Sequence, residues 1–193
     1  MLLLVRTIST FFNNSSVSGE IRENVVRLHI LAESNSEIDQ QVKLKVRDAV
    51  LDQGGVLFNG TVTADEAEKI ITPEIGRLKA VAEKVLRDNG CDYTVDVSVG
   101  EEYFATRCYD NFTMPAGVYT AVRVNIGSAE GKNWWCVLFP PMCTSYASEW
   151  DEEQYVSVGL SGEQYDLITG SNGEYKVKFK LLEIAAEAFG IEY

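Results

Sequence analysis

The spacing of hydrophobic positions predicts two long amphipathic helices in the first half of the chain. Apolar side chains recur at helical spacing over residues 38–50, and the Gly54–Gly55 pair marks the end of this helix. A short acidic helix is predicted over residues 64–71, and a second long helix restarts at Thr72–Pro73 and ends at Asn89–Gly90. Because each long helix has one apolar and one charged side, both should pack on the same sheet.

Strands are predicted where the period of the apolar positions falls to two. Residues 25–31, rich in branched side chains, predict the first strand. Apolar and polar residues alternate strictly over 93–99, residues 100–102 predict a turn, and residues 103–109 predict the returning strand. With two further strands downstream, residues 93–139 predict an antiparallel meander.

Together these elements predict an α+β fold with one domain over residues 25–193. We expect a two-layer sandwich: a mostly antiparallel sheet of about four or five strands, two long helices on one face, and a C-terminal helix over residues 175–189. Residues 144–173 are polar and rich in turn-forming residues, which predicts a mobile surface excursion. Residues 1–24 predict a flexible leader, the remnant or truncation of an export segment.

The apolar residues at the N-terminus are few. Met1 to Val5 form a run shorter than a signal-peptide core of ~7–15 residues and much shorter than a membrane-spanning helix of ~20. The sequence as written therefore predicts neither a complete export signal nor direct insertion into a membrane.

The most unusual composition lies in residues 131–143, where bulky aromatic residues, prolines and cysteines are concentrated. Trp134 and Trp135 follow each other on a predicted strand and therefore point to opposite faces, so at most one of them needs to be core. The other is a candidate for contact with a partner, since tryptophan is over-represented in binding hot spots. Pro140 and Pro141 end the strand because neither can donate to a ladder.

The cysteines and the single histidine limit the chemistry that the chain can perform. Cys136 and Cys143, seven positions apart across the predicted turn, could form a disulfide in an oxidising compartment. Cys91 and Cys108 complete a set of four that lacks the paired spacing of a zinc site. With His29 as the one histidine, the sequence predicts no metal and no cofactor.

Charge excludes one class of partner. Seventeen basic and twenty-nine acidic residues give a net charge of -12, which repels nucleic-acid phosphates and anionic membrane surfaces. The sequence therefore predicts no nucleic-acid role. The charge is compatible with recognition of another protein.

Several segments, in the same order along the chain, resemble the stage II sporulation protein R family. They are residues 28–34, 44–50, 115–117 and 131–141, and the resemblance extends over roughly residues 25–143. It implies a non-catalytic signalling protein of endospore formation, exported to the space between forespore and mother cell. There it would activate a membrane-embedded aspartic protease, which then matures the mother-cell sigma factor precursor.

Two other classes of function stay open at this point. In the signalling hypothesis the contact surface is predicted to include Trp134, Trp135, Pro140, Pro141, Arg47 and Asp48. A small exported hydrolase would instead use Cys136 or Cys108 with His29, although no cysteine-protease signature accompanies them. A cell-envelope glycan-binding module would need a row of exposed aromatic residues in a groove.

Overall fold

A four-stranded mixed sheet forms the centre of the fold. The computed structural model of the chain describes residues 17–58, 63–144, 147 and 149–170. The strands in chain order are β1 (Val26–Leu31), β2 (Val95–Phe104), β3 (Arg107–Cys108), β4 (Thr113–Met114), β5 (Gly117–Ile126) and β6 (Asn133–Phe139). The large sheet has the strand order β2-β5-β1-β6, and β3 and β4 pair as a separate small hairpin.

Six helices surround these strands in the part of the chain that the structure describes. They are α1 (residues 17–23), α2 (Glu37–Leu57), α3 (Ala64–Ile71), α4 (Ile75–Asp88), α5 (Glu152–Ser157) and α6 (Gly162–Thr169), with a 3-10 turn at Thr72–Glu74 between α3 and α4. The N-terminus of α2 is capped by Ser36, whose side chain accepts a hydrogen bond from the backbone N–H of Asp39. The predicted α+β class is confirmed.

The first strand of the chain occupies an inner position of the sheet. β1 pairs in parallel with β5 and antiparallel with β6, whereas β2 pairs antiparallel with β5. The sheet is therefore mostly antiparallel, as predicted, but the meander predicted over residues 93–139 is wrong because β1 separates β5 from β6. Every residue of 26–30 is buried, and a strand without a polar, solvated face fits best between two others.

The loop that joins β5 to β6 crosses the end of β1. Gly131 donates its backbone N–H to the carbonyl oxygen of Ala32 at 2.9 Å. A Cβ atom on Gly131 would lie 2.3 Å from the carbonyl oxygen of Ser34, so this crossing requires glycine.

The turn predicted over residues 100–102 is wrong. β2 continues through this segment to Phe104 and pairs with all ten residues of β5, from Val95 opposite Ile126 to Phe104 opposite Gly117. Gly100 lies within this ladder. A partner strand of equal length satisfies the backbone groups that a turn would have left to other partners.

α2 does not end at Gly54–Gly55 as predicted, but continues to Leu57. A Cβ atom on Gly54 would lie 2.8 Å from Cδ1 of Leu138 on β6, so this glycine permits close packing of helix and sheet. Phe58 follows as the C-cap residue, and its backbone N–H donates to the carbonyl oxygen of Gly54.

Both faces of the sheet are covered. The apolar residues of α2, α3 and α4 pack on one face, which confirms the two long helices on the same side. The opposite face packs against α1, α5, α6 and the β3–β4 hairpin. A second, smaller helical layer therefore adds to the predicted sandwich.

Two segments expected to be flexible contribute to this second layer. Val17 and Ile21 of α1 are buried, so residues 17–24 belong to the folded domain and not to a flexible leader. Residues 149–170, predicted as part of a mobile excursion, form α5 and α6 and bury Tyr155. The rest of the leader and the helix predicted over residues 175–189 lie outside the described residues.

Candidate functional site

Trp134 and Trp135 lie on opposite faces of β6, as their succession predicted. On the side of the long helices, the guanidinium of Arg47 lies 4.5 Å from the centre of the Trp134 ring. On the other side, the guanidinium of Arg107 lies 3.9 Å from Trp135, whose ring also stacks on His29 with 5.3 Å between centroids. Each tryptophan thus has an arginine over it, and the two do not form one aromatic row of the kind that binds glycans.

Beside Trp134 the surface forms a groove with a volume of about 920 Å³, which we call the Trp134 groove. Residues of α2 form one wall, and residues 108–112 between β3 and β4 form the opposite wall. Trp134, Cys136 and residues 142–144 complete the lining. The groove therefore combines three parts of the chain that are distant in sequence.

Three of the four charged residues that line the groove are acidic. Arg47 pairs with Asp48, with 2.7 Å between Nη2 and Oδ1. Asp52 on the same helix and Asp110 on the opposite wall have no ion-pair partner within the described part of the chain. After Arg47 and Asp48 neutralise each other, two carboxylates remain.

The apolar lining is buried and includes one unused hydrogen-bond donor. Leu51, Phe112 and Met142 are each at most 5% exposed. The indole Nε1 of Trp134 is buried and has no acceptor among the described residues. A buried donor without a partner costs about 1–3 kcal/mol.

The turn after β6 carries the cysteine pair. Cys136 and Cys143 are joined as a disulfide, with 2.31 Å between sulfur atoms and 6.1 Å between Cα atoms. The N–H of Val137 donates to the Cys143 sulfur at 3.1 Å. Within this turn Pro140 is buried and Pro141 is partly buried.

The structure divides the six residues predicted for partner contact. Trp134, Arg47 and Asp48 come together in the Trp134 groove. Trp135 faces the other side of the sheet, while Pro140 and Pro141 lie in the adjoining turn and do not line the groove.

His29 is buried between two side chains that engage both of its ring nitrogens. Nδ1 lies 2.6 Å from Oε1 of Glu102, and Nε2 lies 2.7 Å from Oδ1 of Asn133. Cys136 packs with the core on the opposite face of the sheet, and Cys108 lines the Trp134 groove, of which His29 is no part. The geometry does not assemble the histidine–thiol pair that a hydrolase would need.

Arg27 and Tyr109 are structural supports of the groove that the sequence pattern did not reveal. Arg27 is fully buried; its Nε donates to the carbonyl oxygen of Cys136 at 3.0 Å and its Nη2 to the hydroxyl of Tyr109 at 2.9 Å. That hydroxyl donates to the carbonyl oxygen of Trp135 at 3.2 Å, and burial raises the pKa of Tyr109. These contacts fix the β3–β4 wall against β6.

The signal for Arg27 in the sequence was a charge in the middle of an apolar strand. Its guanidinium lies over two aromatic rings, 4.4 Å from the centre of Phe104 and 5.0 Å from that of Tyr119. Burial raises the pKa of Tyr119 to about 12, so this hydroxyl stays protonated beside the cation. The aromatic rings partly replace the hydration of the guanidinium.

Two features are absent from the residues that the structure describes. No helix there combines the length and hydropathy needed to cross a membrane. No group of three or more potential ligands there is placed to hold a metal ion.

Comparison with known proteins gives a consistent result. The sequence profile of Stage II sporulation protein R matches residues 22–149, about two thirds of the chain. A curated relative, Stage II sporulation protein R of Bacillus subtilis (strain 168), is 37% identical over 123 residues, which cover 64% of this chain and 55% of that protein. The chain thus spans about half the length of this relative, and no solved structure gives a significant match. The chain belongs to the Stage II sporulation protein R family.

Proposed function

We propose that this domain is an intercellular signal of endospore formation that acts by binding and performs no catalysis. Its partner is a membrane-embedded aspartic protease, which on activation matures the mother-cell sigma factor precursor. The observation that carries the proposal is positional: every residue that lines the Trp134 groove lies within the segment 22–149 that matches the family. The contact surface is centred on Trp134, Arg47 and Asp48.

Activation by binding requires a difference in affinity between two states of the protease. A ligand with equal affinity for the inactive and active states shifts nothing, however tightly it binds. Moving a protease from about 1% to about 99% active requires roughly 10⁴-fold tighter binding to the active state, or about 5.5 kcal/mol. A groove with an apolar lining and unpaired charges can supply such a preference, because a wrongly shaped partner leaves those groups unsatisfied.

The proposed location is the space between forespore and mother cell. Disulfides persist in compartments outside the cytosol, so the Cys136–Cys143 pair supports an exported protein. The acidic surface, with a net charge of -12, supports a protein that stays away from anionic lipid headgroups until a partner binds it.

The test is a reconstitution. The protease is placed in lipid vesicles with the sigma factor precursor, and precursor cleavage is followed by electrophoresis with and without the purified domain. Maturation should depend on the domain and should be strongly reduced by Trp134→Ala. The control is Ile38→Ala, which removes a side chain that is 66% exposed on α2 outside the groove.

Circular dichroism of both variants separates loss of contact from loss of folding. If the folded wild-type domain leaves the rate of maturation unchanged, the proposed function is wrong. Equal stimulation by the wild type and a folded Trp134→Ala variant would remove Trp134 from the contact surface.

A further inference from the structure

We infer that the Trp134 groove binds a peptide segment of the partner in which a lysine or arginine side chain lies next to an apolar one. This inference rests on the proposed function and deepens it, because it states the chemistry of the segment that the domain recognises. Two features of the groove carry it: its charge and its apolar lining.

The charge of the groove selects a cation. Asp52 and Asp110 lie on opposite walls and have no ion-pair partner among the described residues, while Arg47 is already paired with Asp48. A basic side chain that enters between the walls is attracted by the carboxylates on both of them. Such complementarity speeds encounter and excludes acidic segments.

The lining of the groove selects an apolar neighbour for that cation. Leu51, Phe112 and Met142 provide buried apolar surface beside the carboxylates. Arg47 lies over the Trp134 ring while it pairs with Asp48, which holds the indole in one orientation. An apolar side chain placed there would be removed from water without disturbing the charged walls.

The same features disfavour other occupants. A lipid headgroup or nucleic-acid phosphate would bring negative charge to the unpaired carboxylates. A second copy of this chain would bring a net charge of -12 to a surface of the same sign. A basic and apolar peptide segment is the occupant that these contacts favour.

The experiment uses two matched arrays of synthetic peptides. In the first, one lysine or arginine is flanked by leucine or phenylalanine; in the second, glutamine replaces the basic residue. Binding to the whole domain is measured by fluorescence anisotropy for the wild type, for Asp52→Asn/Asp110→Asn, and for the control Asp92→Asn/Asp96→Asn. The control carboxylates are exposed at the opposite edge of the sheet, before and within β2.

We expect the wild type and the control to bind basic peptides about tenfold more tightly than their glutamine counterparts. The groove variant should bind basic peptides about tenfold more weakly than the wild type, and added salt should reduce the difference. Equal binding of both arrays, or equal binding by the groove variant, would overturn the inference. So would the absence of binding at about 1 mM peptide.

A second readout reports the position of the bound peptide. Cys108 is an exposed free thiol in the lining of the groove, and in a Cys91→Ser background it is the remaining free thiol of the chain. Bound basic peptide should slow the reaction of Cys108 with a maleimide. Labelling at an unchanged rate, with peptide bound, would place the peptide elsewhere and overturn the inference.

The reconstitution distinguishes a failure of this inference from a failure of the proposed function. If the wild-type domain stimulates maturation and Asp52→Asn/Asp110→Asn does so equally, this inference is wrong while the proposed function stands. If the wild-type domain binds the basic array as expected but stimulates no maturation, the proposed function is wrong while the groove remains a peptide-binding site.

Discussion

His29 is held by hydrogen bonds at both ring nitrogens, and this arrangement gives it a structural role. Glu102 faces Nδ1 and also accepts a hydrogen bond from Arg123 at 3.4 Å, while Asn133 faces Nε2. The imidazole therefore joins β1 to both edge strands of the sheet. The stacked ring of Trp135 covers it on one side.

Replacing His29 should reduce stability without reducing specific activity. His29→Phe keeps an aromatic ring against Trp135 but leaves Glu102 and Asn133 without their shared partner. We expect the free energy of unfolding, measured with urea, to fall by about 2–3 kcal/mol. His29→Gln, whose amide keeps an N–H donor for one of these two oxygens, should lose less.

The same variants test the role of His29 in function. Stimulation of the protease per folded molecule should equal that of the wild type. Loss of stimulation in fully folded His29→Gln would contradict a structural role and return His29 to the candidate contact or catalytic residues.

The carboxylate of Asp39, in the first turn of α2, makes the stability of the fold depend on pH in the acid range. A hydrogen bond from the Ser34 hydroxyl is the main cause that holds the pKa of Asp39 below its usual 3.8, against the opposing effect of burial. A carboxyl whose folded pKa is depressed stabilises the fold above its unfolded pKa. That stabilisation is lost as the pH falls through the folded value.

We therefore expect Asp39→Asn to destabilise the domain by about 1 kcal/mol at neutral pH. The difference from the wild type should persist down to about pH 4 and vanish below it, as Asp39 takes up a proton. Urea unfolding at a series of pH values measures this. A constant difference at all pH values would contradict the role of the ionised carboxylate; Asp65→Asn, at the exposed first turn of α3, is the control.

At the scale of elements, replacing two helical glycines with alanine should have opposite effects on stability. Gly54→Ala places a Cβ atom against Leu138 and should destabilise the fold by about 1–3 kcal/mol. Gly76→Ala in α4 meets nothing within 4 Å and should stabilise it by about 0.5–1 kcal/mol through its effect on the unfolded chain. Thermal unfolding followed by circular dichroism measures both.

A third variant tests the cause assigned to Gly54. Adding Leu138→Val to Gly54→Ala removes part of the collision, so the double variant should lose less stability than the sum of the two single changes. Strict additivity, or a stabilising Gly54→Ala, would show that helix α2 and strand β6 do not restrain each other at this point.

The elements that the sequence predicted well are those determined by local spacing. The apolar faces of α2 and α4 and the alternation that starts β2 depend on neighbours a few positions away. The place of β1 between β5 and β6 depends on which strands lack a polar, solvated face once the whole sheet is covered. The spacing of apolar residues along the chain does not report which strands take the inner positions of the sheet. It also predicts a turn at Gly100, although the ten-residue pairing with β5 keeps this residue in a strand.

The candidate site shows the same limit. Composition and position along the chain predict Trp134, Arg47 and Asp48 as contact residues. They do not predict Asp52 and Asp110, because these residues line one groove only when the β3–β4 wall lies opposite α2. Arg27 and Tyr109 determine that placement through contacts 82 positions apart, and no short pattern reports it.

At the scale of the whole molecule, the Cys136–Cys143 bridge stabilises the turn that ends the sheet. The bridge joins two residues that are seven positions apart. Because it lowers the entropy of the unfolded chain, it should stabilise the fold by about 2–3 kcal/mol. Cys136→Ala/Cys143→Ala should lower the free energy of unfolding by this amount, measured with urea under oxidising conditions.

A reductant provides the complementary measurement. It should reduce the stability of the wild type toward that of the double variant and leave Cys91→Ala/Cys108→Ala with the same sensitivity as the wild type. A wild type that is insensitive to reductant, with four free thiols by mass spectrometry, would contradict the bridge.

The inner position of β1 also constrains when the protein can fold. Arg27 on β1 and its acceptor Cys136 on β6 are 109 positions apart, and the parallel partner β5 is also far downstream. In the exported protein that we propose, a chain that threads through a translocation channel with its N-terminus first carries β1 without a partner until residue 126 of β5 has emerged, and without its second partner until residue 139 of β6 has emerged. Sheet closure is thereby delayed to the destination side, and the polypeptide stays extended and transport-competent during passage.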